Sequence, residues 1–163
     1  MTIDTAPAIA AEEDELREKY LTFTIGSEHY GIEIRYVTEI IGIQAITEVP
    51  ELPDYIRGII NLRGKIIPVM DVRLRFKKPF REYSDRTCII VIDIEDISIG
   101  LIVDSVSEVL AIPDSDIVPP PEYNAMTNRY IQGIGNSEGQ VKLLLDCSKL
   151  LNEQEADKLA HIN

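Results

Sequence analysis

The chain repeats itself, and the repeat limits its architecture more than any other feature. Shifted by 69 residues, "LTFTIGSEHYGIEIRYVTEIIGI" from Leu21 falls on "IVIDIEDISIGLIVDSVSEVLAI" from Ile90. Gly31 meets Gly100, Val37 meets Val106, Glu39 meets Glu108, and Val49-Pro50 falls on Val118-Pro119. The offset then becomes 75, and "YIRGIINLRG" (55–64) falls on "YIQGIGNSEG" (130–139). Tyr55 meets Tyr130, Gly64 meets Gly139, and Asp71 meets Asp146. The change of offset places six extra residues in the second copy, within "PPEYNAMTNR". Two copies are too few for a solenoid, so an internal duplication into two similar small units is the expectation.

Each copy carries the same elements. "YLTFTIG" and "CIIVIDIE" are rich in β-branched and aromatic residues and read as strands. A tight turn leads to a second strand, "YGIEI" or "IGLIV". In "RYVTEII" and "DSVSEVL", the caps Asp104 and Ser105 and the spacing of Val103, Val106 and Leu110 predict a short helix, and by repeat a helical stripe of Ile34, Val37 and Ile41. A strand is the alternative there, because Val and Ile are stiff at χ1. A third strand follows, then two apolar runs around a turn ending in Gly, which read as a β-hairpin. Asp71 and Asp146 close these hairpins and are placed to accept hydrogen bonds from the next turn. Short strands of this kind hide their edges by curling closed. The expected fold is mainly β: two five-stranded β-barrels side by side, sharing a core. Residues 1–17 read as a disordered acidic tail, 18–76 as the first barrel, 77–86 as a linker, 87–151 as the second barrel, and 152–163 as a short C-terminal helix.

Composition excludes several function classes. The formal charge of −12 makes nucleic acid and anionic membranes poor partners for the whole molecule. No signal peptide and no apolar run of membrane-spanning length is read in the chain. Cys88 and Cys147 have no metal-like spacing and read as free thiols of a cytosolic protein. His29 lies in a turn and His161 near the end, and no phosphate loop, CxxC, HExxH or GxSxG is present. Asp93, Glu95, Asp96 and Asp104 lack the Gly and final Glu of a calcium loop. The chain is therefore read as non-catalytic, without metal or cofactor.

"YGIEIRYVTEI" followed by "YIRGIINLRGKIIPVMDVR", then the degenerate second half, resembles the CheW family, the coupling proteins of bacterial chemotaxis. The resemblance runs from Tyr20 to Leu151, with Asn61–Asp71 its most specific part. It implies SH3-like barrels, no catalysis, and a cytoplasmic adaptor recruited to receptor arrays at the inner face of the membrane. Its implied partners are the cytoplasmic tip of a chemoreceptor and the regulatory domain of the histidine kinase CheA, with a monomer in isolation.

Candidate sites follow from where the copies differ and from that resemblance. Copy one has Arg63 at the hairpin turn where copy two has Glu138. A solvated ion pair is the alternative to display of Arg63 for a partner, and the resemblance assigns Arg63 and Glu39 to the receptor. Ile34, Val37 and Val106 are either core or part of an apolar receptor groove between the barrels. "VPPPEYNAM" is stiffened by three prolines, which lowers the entropy lost on binding. Val118, Glu122 and Tyr123 there, with Val49 and Leu52 at the corresponding end of copy one, are the candidate kinase contacts. Two rivals remain: a CheW paralogue in a non-flagellar chemosensory pathway, and a nucleic-acid binder using "RLRFKKPFR" (73–81), where cations are interleaved with Phe76 and Phe80.

Overall fold

The computed structural model describes residues 16–121 and 129–151, with Glu155 and Leu159. Its strands are β1 (Lys19–Ile25), β2 (Glu28–Glu33), β3 (Val37–Gly42), β4 (Ile56–Leu62), β5 (Lys65–Asp71), β6 (Cys88–Ile94), β7 (Ile97–Val103), β8 (Ser105–Ala111), β9 (Ile117–Val118), β10 (Ile131–Ser137) and β11 (Gln140–Leu145). A short helix α1 (Val72–Arg75) and single 3-10 turns at Ile34–Tyr36, Asp114–Asp116 and Cys147–Lys149 complete it. Glu155 and Leu159, the described residues of the terminal segment, are helical. Residues 77–87 carry no strand.

The strands form two mixed sheets, in the orders β8-β1-β2-β11-β10-β9 and β3-β6-β7-β5-β4. Two closed barrels, one from each stretch of sequence, are not formed. The halves exchange strands: β3 pairs with β6, and β8 pairs with β1. The partition therefore cuts across the boundaries 18–76 and 87–151. The registers correspond at the two offsets. Val37 opposes Ile92 as Val106 opposes Phe23, and each ladder has a bulge beside that pair. Leu144 meets Gly31 across a parallel pair, as Val69 meets Gly100.

Each sheet bends back on itself. Its two outer strands are consecutive in the chain, and an isolated Thr47–Ile59 bridge joins the chain after β3 to β4. Glu39 on β3 also reaches Arg63 at the end of β4. In a flat five-stranded sheet those strands would lie about 19 Å apart at about 4.8 Å per spacing. Curling without a closing ladder is what the pairing shows.

One core lies between the sheets. It takes Phe23 and Ile25 from β1, Tyr30 and Ile32 from β2, Ile90 and Ile92 from β6, and Ile99 and Leu101 from β7. The alternate residues of β6, Ile89 and Val91, face a second cluster with Ile60, Ile67, Val69 and Ile102. A strand buried on both faces reads as a continuous apolar run, which is why "CIIVI" shows no alternation. Phe23, Tyr30, Phe76 and Tyr130 form a run of ring contacts with centroids 5.4–5.7 Å apart.

The helix expected over Ile34–Ile41 is a single 3-10 turn followed by strand β3, and its counterpart is strand β8. Val37, Glu39 and Ile41 are half-buried while Thr38 and Ile40 are exposed, so the residues alternate at period two. The β-branched run Val37-Thr38 and Ile40-Ile41 explains the outcome, since ladder bonds to β6 were available to it. The hairpins β4–β5 and β10–β11 form as expected. Asp71 accepts from the Leu74 amide at 3.3 Å, and Asp146 from the Ser148 amide at 3.1 Å.

Candidate partner-binding surfaces

The β4–β5 turn is built to present one side chain. Arg63 and Gly64 both have positive φ, 53° and 87°, the two-residue geometry that matches the twist of flanking strands. Gly64 supplies this conformation at no steric cost, whereas Arg63 is held in it. Asn61 Oδ1 accepts a 2.8 Å hydrogen bond from the Gly64 amide and fixes the turn. The Arg63 side chain is 72 % exposed and its Nη2 pairs with Glu39 Oε2. The structure thus brings the two polar candidates together, from opposite edges of one sheet. Glu138 and Gly139 adopt the same turn in the other sheet, with φ of 54° and 78°.

The apolar candidates divide. Ile34, Val37, Val106 and Leu52 are half-buried and pack on the shared core. Val37 and Val106 occupy corresponding places on β3 and β8, one from each half. Val49 is half-buried in the chain between β3 and β4, and Val118 on β9 is 55 % exposed. Glu122 and Tyr123 lie outside the described residues. Ile40 and Val109, also at corresponding positions, are exposed apolar residues on the edge strands β3 and β8 that the sequence did not single out. Their signal was the alternation of a strand, masked by the helical reading.

The basic stretch 73–81 is largely consumed within the molecule. Arg73 and Arg81 both reach Asp104, Lys78 reaches Glu28, and Arg75 reaches Glu155. Phe76 sits in the aromatic run, and Phe80 lies against Tyr83 and beneath Arg57. Asp104 is the hub: its Oδ2 also accepts from the Gly26 amide at 2.7 Å. Burial pushes its carboxyl up, but the hydrogen bonds from Arg73 and Gly26 outweigh that and hold it below the ordinary carboxylate value. A cavity of about 240 Å³ beside it is lined by Asp71, Arg73, Arg81, Tyr83 and Arg86 among others. Of the five cations Lys77 alone forms none of these ion pairs and Arg81 remains 68 % exposed, which leaves the nucleic-acid reading little free charge.

No metal constellation emerges among the described residues. Asp93 accepts from Ser98 Oγ at 2.6 Å and Asp104 is taken by arginines, so the acidic stretch around β6 and β7 has structural uses. His29 Nε2 lies 3.3 Å from Gln140 Nε2, and His161 is outside the described residues. Both cysteines are free, and burial pushes the Cys147 thiol up to about 12. No helix of the described residues is long and apolar enough to cross a membrane.

Residues 19–155 match the family model of the CheW-like domain. The chain belongs to the CheW-like family. It is 37 % identical over 139 residues to the chemotaxis protein CheW of Klebsiella aerogenes, covering 85 % of this chain and 84 % of that protein. It is 33 % identical over 147 residues to the CheW of Treponema pallidum, covering 87 % and 86 %. Protein FrzA of Myxococcus xanthus is 28 % identical, over 93 % and 94 % of the two chains. The crystal structure of the scaffolding protein TtCheW from Thermoanaerobacter tengcongensis superposes with a TM-score of 0.79 at 36 % identity, covering 85 % of this chain and 94 % of that one. The resemblance noted from "NLRG…PVMD" is thus a CheW-like membership.

Proposed function

We propose that this chain is a non-catalytic scaffold that couples chemoreceptor cytoplasmic tips to a CheA-type histidine kinase. The carrying observation is the Arg63–Glu39 pair, displayed on a fixed turn in one half and replaced by Glu138 in the other. A structural turn of this type needs the glycine but not the arginine. Glu39 and Arg63, with the half-buried Ile34 and Val37 of one half and Val106 of the other, form the receptor-facing set. The exposed Val118, with Glu122 and Tyr123, forms the kinase-facing set. Val49 and Leu52 form a second, weaker kinase contact at the corresponding end of copy one. Relatives that share this fold are chemotaxis proteins and a scaffolding protein, which supports a role in holding partners rather than in chemistry. The scaffold acts in the cytoplasm, as a monomer until it is recruited to receptor arrays.

The test is calorimetric titration with the regulatory domain of the kinase from the same organism, repeated with Val118→Arg and Tyr123→Ala. Saturable binding weakened by both variants is expected. No binding by a folded sample overturns the kinase assignment. The similarity to protein FrzA supports a second reading, in which the same scaffold serves a paralogous chemosensory pathway. Binding only to the kinase of such a pathway selects it.

A further inference from the structure

We propose that Arg75 couples the two binding halves, an inference that rests on the scaffold reading above. Its guanidinium carbon lies 4.2 Å from the Tyr55 ring centroid and 5.1 Å from that of Tyr130. These tyrosines correspond at the 75-residue offset, so Arg75 is held between equivalent points of the two halves. Its Nε donates to the Leu150 carbonyl at 2.8 Å, and Leu150 is the residue one offset beyond Arg75 itself. Its Nη2 pairs with Glu155 at 3.2 Å, with side chains only 12 % and 13 % exposed. Arg75 therefore sits where the two halves meet.

Each tyrosine anchors the base of a hairpin. The Tyr55 carbonyl accepts from the Asp71 amide at 2.7 Å, joining the start of β4 to the end of β5. That hairpin carries Arg63. The Tyr130 carbonyl accepts from the Asp146 amide at 2.8 Å, joining the start of β10 to the end of β11. That hairpin pairs with β9 and its exposed Val118. A shift at either hairpin base moves a ring on the guanidinium plane, and the plane carries it to the other. Stability alone gives little reason for a buried arginine here, because apolar replacement of a buried ion pair is often neutral or stabilising. A planar, stacking cation does what lysine's point charge cannot.

The experiment measures the affinity of the kinase regulatory domain with and without a receptor-tip peptide, for the wild type, Arg75→Lys, and the double variant Arg75→Met/Glu155→Gln. In the wild type the peptide is expected to change kinase affinity by roughly 5-fold or more, the range of ordinary allosteric coupling. In both variants each separate affinity is expected to stay within about twofold while the coupling disappears. Loss of packing alone would weaken the separate affinities or the fold, and circular dichroism checks the latter. If the double variant does not fold, Arg75→Lys carries the test. Coupling retained in the folded variants overturns the proposal. Wild-type protein that binds both partners without coupling overturns it too, and leaves the scaffold reading standing. Wild-type protein that binds neither removes both.

Discussion

The two halves share a topology but not a filling. Under the sheet β3-β6-β7-β5-β4 lie Ile60, Ile67, Val69, Ile89, Val91 and Ile102. At the corresponding positions the other sheet has Gly135, Lys142, Leu144, Tyr20, Thr22 and Glu33. Its buried cluster shrinks to Tyr20, Ile112 and Leu144. Lys142 is nearly buried, with Nζ donating to Gln140 Oε1 at 2.8 Å. Thr22 is fully buried, its hydroxyl bonded to the backbone of Glu108. Both halves lean on the shared core, and only one has a full core of its own. The comparison teaches that the shared layer carries the fold, which leaves each outer layer free to diverge.

The largest expected contrast is between two corresponding glycines. Gly58 has φ +144°, and a Cβ there would lie 2.1 Å from the Thr47 carbonyl oxygen, at the bridge that joins the sheet's ends. At Gly133, which has no positive φ, the nearest contact, 2.5 Å, is the side-chain Cγ2 of Ile117 rather than backbone. Gly58→Ala is expected to cost about 3 kcal/mol or more and Gly133→Ala clearly less, read from urea midpoints. Equal costs would break the asymmetry. The second contrast is Ile67→Ala against Lys142→Met. The first opens a cavity in a packed cluster and should cost about 2–5 kcal/mol. The second replaces a buried cation by an apolar chain and should be neutral or stabilising. A large loss from Lys142→Met would show that the polar half depends on its lysine.

The turns give the third contrast. Arg63→Ala removes an exposed ion pair, worth at most about 1 kcal/mol, so the thermal midpoint should hardly move. Receptor coupling should be lost while kinase binding persists. An unfolded variant would turn Arg63 into a structural residue. The smallest effect concerns Asp104, whose counterpart is Arg35. Its folded-state pKa lies below the ordinary 3.8. Its stabilisation is therefore present above that value and lost as pH falls through the folded value. Asp104→Asn is expected to be less stable at neutral pH and to show a shallower loss of stability between neutral and acid pH. An unchanged acid profile would remove Asp104 from the pH response.

Much of the candidate site was legible before any coordinates. A difference between repeats isolated Arg63, and the Asn-Leu-Arg-Gly turn fixed how it is shown. What escaped was long-range. Arg75 stood in sequence as one of five clustered cations, and Tyr55, Tyr130 and Glu155 stood far from it. Nothing local joins them, because ring stacking on an arginine leaves no periodicity. The helix expected at Ile34–Ile41 failed for a related reason. Short apolar runs fit either period, and the free ladder positions of β6 decided the matter.

By itself the sequence determined the two hairpins, their turns and the strands β1, β2, β6 and β7, since each rests on β-branched apolar runs or on glycine and aspartate chemistry within a few residues; β3 and β8 it read as helix, and the third strand it placed next is in copy one only the Thr47 bridge. It could not determine which strand pairs with which. β1 and β6 carry the same pattern, so β3 finds an equivalent partner in either, and local signals are degenerate between them. Only the tertiary structure broke that tie. The exchange of strands places one core between the sheets, taking residues from both halves, and leaves Arg75 where the halves meet.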